Sequence, residues 1–213
     1  IKLFPKNLND GEYFSLLQSL IADVKLPLKL IMVQRKIKSQ RAIKQIAATL
    51  KAQGKRVVFT NGCFDLLHVG HVRYLQKAKK LGDVLIVGLN TDHSVKLIKG
   101  KNRPIIPQKE RAEVLAALEF VNYVVFFNEP DPLKIIKAIQ PDILVKGADW
   151  DKNQIVGREI VEGAGGKVVR ISLVPGASST KIIEKIIKIY RWPKYKLSSR
   201  RTLPAHHDRS LRT

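Results

Sequence analysis

A chain of 213 residues with 45% hydrophobic content can bury one well-packed domain with appendages. Its 39 Lys and Arg against 18 Asp and Glu give a formal charge of +21, which attracts polyanions from nucleic acid to nucleotides and sugar phosphates. No apolar run reaches the roughly 18 to 20 residues of a membrane span, residues 1–10 carry no secretory signal, and the single Cys63 excludes an internal disulfide and fits a reducing cytoplasm.

Residues 1–35 form a helical extension of open purpose, with Asn9 or Asp10 as a cap and Phe14, Leu17, Leu20 and Ile21 on one face. It starts without Met, so further sequence upstream is allowed for. A second helix is expected from Lys36 to about Gln53, with Ile43, Ile46, Ala47 and Leu50 at helical spacing and Gly54 as its stop. Five β-branched apolar runs then read as buried strands: Arg56 to Thr60, Val84 to Leu89, Tyr123 to Phe127, Ile143 to Lys146 and Lys167 to Ile171. Between and after them lie helical patterns over Val69 to Leu81, Lys109 to Leu118, Pro132 to Gln140, Ile155 to Ala164 and Lys181 to Tyr190. The last of these puts Ile182, Ile183, Ile186, Ile187 and Tyr190 on one stripe. This alternation implies an α/β fold with a doubly wound, five-stranded parallel sheet spanning residues 36–190. Residues 191–213 carry seven Lys or Arg against Asp208 alone and read as a basic, disordered tail, with RNA binding as the other use of such charge.

The sharpest feature follows the first strand, in the run Asn61-Gly62-Cys63-Phe64-Asp65-Leu66-Leu67-His68-Val69-Gly70-His71. In parallel α/β sheets ligands bind beyond the carboxyl ends of the strands, and a helix starting there offers free N–H groups to an anion. Two imidazoles separated by two residues at such a helix start can reach one phosphate, and Gly70 between them removes a side chain that would block it. A metal reading needs a third ligand and finds only Asp65 nearby. Neither a G-x-x-x-x-G-K-[ST] loop nor a G-x-G-x-x-G fingerprint after a strand is present; the glycines at 163, 165 and 166 precede a strand and read as a helix stop.

The H-x-G-H element at His68 to His71 after a G-x-F-D turn, together with Ser178-Ser179-Thr180 opening a late helix, resembles the cytidylyltransferase-type nucleotidylyltransferase superfamily. Within it, Thr60 to Asp65, Lys99-Gly100 with Arg103-Pro104, and Val145-Lys146-Gly147 with Asp149 are similar to the heptose 1-phosphate adenylyltransferase domain family, over about residues 36 to 190. The resemblance implies a Rossmann-like nucleotidylyltransferase fold. In it, Asn61, Gly62, Cys63, Phe64, Asp65 and Gly70 belong to the nucleotide loop, and His68 and His71 stabilise charge on the triphosphate. Ser178, Ser179 and Thr180 hold the β- and γ-phosphates, Lys99 approaches the reacting phosphates, and Lys146, Gly147 and Asp149 lie near the nucleoside. Arg103 and Arg111 either contact the incoming sugar phosphate or anchor loops, and Trp150 either shields the nucleoside or packs structurally. The chain departs from the family pattern at Asn122 and Asp131-Pro132, which bear on packing or caps, and at Ile183, where many relatives outside the heptose group carry an Arg.

The implied reaction transfers AMP from ATP to D-glycero-β-D-manno-heptose 1-phosphate. It yields ADP-heptose, a lipopolysaccharide core precursor, and pyrophosphate, with Mg²⁺ carried on the triphosphate rather than in a protein cage. Partners are then ATP and a sugar phosphate, with no membrane or nucleic acid involved and a homo-oligomer left open. Two rivals stand beside this reading: a cytidylyltransferase acting on glycerol 3-phosphate or a similar alcohol phosphate, and a basic RNA-binding protein that kept the fold and lost catalysis.

Overall fold

The computed structural model describes residues 28–190. Helix α1 (Leu28–Lys36) leads into a two-residue strand β1 (Ile37–Lys38) and α2 (Gln40–Ala52). Then come β2 (Val57–Gly62), α3 (Val69–Lys79), β3 (Val84–Asn90), α4 (Asp92–Lys99), α5 (Gln108–Ala117) and β4 (Tyr123–Phe127). The chain closes with α6 (Leu133–Ile139), β5 (Ile143–Gly147), α7 (Arg158–Gly163), β6 (Lys167–Ile171) and α8 (Ser179–Tyr190).

All strand pairs are parallel, in the order β1-β4-β3-β2-β5-β6. Strand residues alternate between two apolar layers because successive side chains point to opposite faces. Val58, Leu85, Val87, Val124 and Val145 join one layer with Tyr74, Leu75 and Ala78 of α3 and Ala112, Leu115 and Ala116 of α5. Val57, Phe59, Ile86, Val125 and Leu144 join the other with Ile43 and Ala47 of α2, Ile135, Ile136 and Ile139 of α6 and Val161 of α7. Both faces are therefore covered, as continuous rather than alternating apolar runs require. From β2 the chain winds outward through β3 and β4, then crosses back to β5 on the other side of β2. The strand order reverses between β2 and β5, which opens a crevice at their carboxyl ends.

The sheet has six strands where five were expected. The helix read as continuous from Lys36 is interrupted at Ser39, whose side chain accepts from the Ala42 N–H and restarts it as α2. Between the two helices, Ile37 and Lys38 pair with Val124 and Val125. Helix α1 lies against α5, and Lys36 Nζ donates to the Leu118 carbonyl at 3.2 Å. Helix α4 was read as loop; Thr91 caps it by accepting from the Ser94 N–H. The helix expected from Ile155 begins at Arg158, because Asp151 caps a short 3-10 turn at Lys152–Gln154 and Gly157 adopts φ 88°. Asn122 brackets Leu85, accepting from its N–H at 2.9 Å and donating its own N–H to the Leu85 carbonyl at 3.1 Å. Asp131 accepts from the Leu133 N–H at the start of α6. The extension before residue 28, the apolar face read at Phe14 to Ile21 and the basic tail lie outside the described residues.

Candidate active site

A cleft of about 500 Å³ opens at the carboxyl ends of β2 and β5. Every residue singled out from the sequence lines it except Arg111: the loop from Asn61 to Asp65, His68, Gly70, His71, Lys99, Arg103, Lys146, Gly147, Asp149 and Ser178 to Thr180. Residues as distant in sequence as Asn61 and Thr180 thus meet in one hollow because β2, β5 and the starts of α3 and α8 converge there. A larger, shallower hollow between α6 and α7 gathers none of these groups.

His68 caps α3: its Nδ1 accepts from the Gly70 N–H at 3.2 Å. The His71 ring stacks on it, with centroids 3.9 Å apart and planes inclined at 24°, and Phe64 lies 5.2 Å beyond. A Cβ at Gly70 would stand 2.9 Å from the His68 ring and 3.1 Å from the Ala177 Cβ, so only glycine lets the rings and the residue 177 segment close together. Burial lowers the pKa of both imidazoles. That of His71 reaches about 4, through burial first and the adjacent His68 second, against the opposing pull of the Leu66 carbonyl. Its Nδ1 is buried and has no hydrogen-bond partner. Two neutral rings therefore face the helix start at pH 7, and an anion there would raise both pKa values toward protonation.

Across the cleft, Ser178 Oγ accepts from the Lys181 N–H and so caps α8, while Ser179 Oγ donates to the Leu66 carbonyl at 3.1 Å. The second bond ties α8 to the histidine loop, so two helix N-termini point into one space. Lys146, 7% exposed, donates to Asn61 Oδ1, and its Nζ lies 5.6 Å from the Trp150 ring centroid. Burial pushes its ammonium down to about 8. Trp150 is 47% exposed and borders the cleft, so it is not a packed core side chain. A Cβ at Gly147 would meet the Asp149 carboxylate, so a larger residue there would make that exposed side chain move aside.

Two expected ligand contacts are held by protein partners. Arg111, 2% exposed, sits beneath the cleft, where its Nε donates to the Ile106 carbonyl, Nη1 to the Cys63 carbonyl and Nη2 to Asp92 Oδ1. Of its two roles, the loop anchor is the one its geometry fits. Asp65, 4% exposed, accepts from Arg103 Nε and from the N–H groups of Ile105 and Ile106, so its carboxylate turns toward the loop after α4 while the residue borders the cleft. Burial raises the Cys63 thiol pKa despite the nearby Lys99, so the thiol stays protonated at neutral pH. Tyr74 was missed as a lining residue: it follows His71 by one helical turn, and its hydroxyl bonds Thr60 Oγ1 at 2.8 Å. Helical spacing from His71 was the available signal. Asn90, buried and donating to Ser94 Oγ, was also missed, because nothing local distinguishes it from a strand end.

A family model described as cytidylyltransferase-like matches residues 59–185, which include the whole histidine loop and the start of α8. The chain belongs to the cytidylyltransferase-like family. Among curated relatives, the "Bifunctional protein HldE" of Geobacter sulfurreducens is 56% identical over 155 residues, covering 73% of this chain and 32% of that protein. The protein of the same name from Citrifermentans bemidjiense is also 56% identical over 155 residues, with the same coverage. The chain thus spans about a third of the length of these relatives. A solved structure from Thermoplasma volcanium, titled a lipopolysaccharide core biosynthesis protein, is 31% identical with a TM-score of 0.48, covering 57% of this chain and 98% of that one. Among the described residues of this family member, no helix is long and apolar enough to cross a membrane.

Proposed function

We propose that this chain is a nucleotidylyltransferase that transfers AMP from ATP to D-glycero-β-D-manno-heptose 1-phosphate, forming ADP-heptose and pyrophosphate. The observation that carries the reading is the convergence of His68, His71, Lys99, Arg103, Lys146 and the Ser178 to Thr180 helix start on one cleft at the sheet's switch point. Six cationic or donor elements around one space suit two phosphorylated substrates brought together. The heptose-like pattern at Lys99-Gly100, Arg103-Pro104 and Lys146-Gly147 supports this choice of acceptor.

The acceptor's phosphate oxygen attacks the α-phosphorus in line and pyrophosphate leaves, with no covalent enzyme intermediate. A phosphate is already nucleophilic at neutral pH, so the protein's work is to hold two anions together and to neutralise charge spreading over the phosphoryl oxygens. Ser178, Ser179 and Thr180 with the α8 N-terminus hold the outer phosphates. His68 and His71 with the α3 N-terminus face the α-phosphate and its bridging oxygen, and Lys99 lies toward the leaving group. Lys146 and Trp150 flank the nucleoside, and Arg103 receives the acceptor phosphate. Mg²⁺ would ride on the triphosphate, supplying charge neutralisation there. Asp131 and Asp149 border the cleft and would supply carboxylate oxygens to the waters such an ion keeps.

The test is a donor and acceptor panel with the purified chain and Mg²⁺. ATP with heptose 1-phosphate should release pyrophosphate faster than any other pair, with CTP the poorer donor. A preference for CTP with glycerol 3-phosphate would move the assignment to an alcohol-phosphate cytidylyltransferase. RNA binding without turnover of any pair would move it to a catalytically inactive binding protein.

A further inference from the structure

Asp65 spends its whole carboxylate on one neighbouring segment. Its Oδ1 accepts from the Ile105 N–H at 2.8 Å and the Ile106 N–H at 2.9 Å, and its Oδ2 accepts from Arg103 Nε at 2.5 Å, with the Asp65 side chain only 1% exposed. The same segment is held a second time from below, by Arg111 Nε on the Ile106 carbonyl, and Arg111 Nη1 reaches back to Cys63, two residues before Asp65. The loop after α4 and the nucleotide loop are therefore one hydrogen-bonded unit, joined by two buried ionic side chains of opposite sign. Arg103 enters this unit by its Nε alone, and it borders the cleft with a side chain 19% exposed. A guanidinium held at Nε keeps its two terminal nitrogens for a second anion, and a phosphate is the anion that a planar fork fits best.

We propose that Asp65 is a positioning residue for the acceptor: it locks Arg103 so that the terminal guanidinium nitrogens meet the acceptor's phosphate, and it makes no contact with the nucleotide. This rests on the reading of the cleft as a site for nucleotide and phosphorylated acceptor. It reassigns a residue of the nucleotide loop to the other substrate, and it makes the order of the loop after α4 a condition for acceptor binding.

Two variants separate the parts of the unit. Asp65→Asn keeps one oxygen for the Ile105 and Ile106 N–H groups but turns an NH₂ group toward Arg103 Nε, donor against donor, and so releases Arg103 alone. Asp65→Ala releases the backbone as well. With Asp65→Asn, the KM for the sugar phosphate should rise about tenfold or more, the loss expected for one charge-assisted hydrogen bond, while the KM for ATP changes less than about threefold. An Asp65→Asn, Arg103→Ala double variant should bind the acceptor no more weakly than Arg103→Ala does. In Asp65→Ala without ligands, amide exchange at Ile105 and Ile106 should accelerate while the amides of β2 and β3 keep wild-type protection. A loss of ATP affinity in Asp65→Asn equal to or larger than the loss for the acceptor overturns the proposal. So do additive effects in the double variant, or unchanged exchange at Ile105 and Ile106. Absence of turnover by the wild-type chain with every acceptor would instead sink the proposed function, and the exchange measurement would still decide whether Asp65 holds the loop.

Discussion

Replacing His71 with alanine separates a catalytic imidazole from a structural one, and the structure sets both sides of the comparison. On the stability side two contributions oppose each other. The variant loses the stacking of the ring on His68 at 3.9 Å and its contact with Phe64 at 5.2 Å, worth about 0.5 to 1.5 kcal/mol per aromatic pair beyond area burial. It also removes the buried, unpartnered Nδ1, a group that costs about 1 to 3 kcal/mol to leave unsatisfied. The two offset one another in part, and the buried ring area lost with them tips the balance, so the melting temperature should fall by a few degrees at neutral pH. The acid side has a definite sign. The folded pKa of about 4 lies below the ordinary 6.5, so the unfolded chain binds the extra proton between those values, and the wild type loses stability as pH falls from 6.5 toward 4. His71→Ala should lose less over that interval. On the catalytic side, one preorganised donor facing developing charge is worth about 10² to 10³ in kcat, or about 2.7 to 4 kcal/mol. Measuring kcat at saturating ATP and sugar phosphate, ATP affinity and thermal midpoint on the same preparation separates the readings. A folded His71→Ala protein with near wild-type kcat would refute the reasoning and remove the strongest residue-level support for nucleotidyl transfer.

At Gly70, alanine would place its Cβ 2.9 Å from the His68 ring and 3.1 Å from Ala177, displacing the cap of α3. Titrating ATP against Gly70→Ala should show affinity down about tenfold or more, in line with one or two lost charge-assisted contacts; unchanged affinity would mean that the His68 ring does not touch the phosphates. Lys146 titrates near 8 instead of 10.5, so between those values the unfolded chain binds more protons and the native state gains stability as pH rises. Lys146→Met should therefore melt no lower than wild type at pH 7 while its KM for ATP increases, and a large drop in melting temperature would show the ammonium to be structural.

Strands β2 to β5 were legible because each is an apolar run buried on both faces, and the helices between them carry apolar stripes that close the two layers; β6, at the sheet edge, buries only Ile171 and was legible from its Val168-Val169 pair. Strand β1 was not, because two residues carry no periodicity and its pairing depends on β4, some 87 positions away. Helix α4 is short, and Leu97 and Ile98 point outward at 59% and 41% exposure, so no buried stripe announced it. In the site, the H-x-G-H element and the Ser178 to Thr180 run could be placed at helix starts because His68 and Ser178 cap them locally and Gly70 leaves room between the rings. The direction in which Asp65 and Arg111 turn could not, since apart from the Ile106 carbonyl, five positions before Arg111, their partners lie 19 to 48 positions away and are chosen by how the loops close over one another.

In the proposed reaction this cleft joins a nucleoside monophosphate to a phosphorylated sugar in a single displacement. The decisive experiment incubates the purified chain with Mg²⁺, ATP and heptose 1-phosphate and quantifies sugar nucleotide by mass spectrometry alongside pyrophosphate. ADP-heptose and pyrophosphate should form in equal amounts, dependent on both substrates. Pyrophosphate or phosphate released without a sugar nucleotide, or at the same rate when the sugar phosphate is left out, would contradict that reaction.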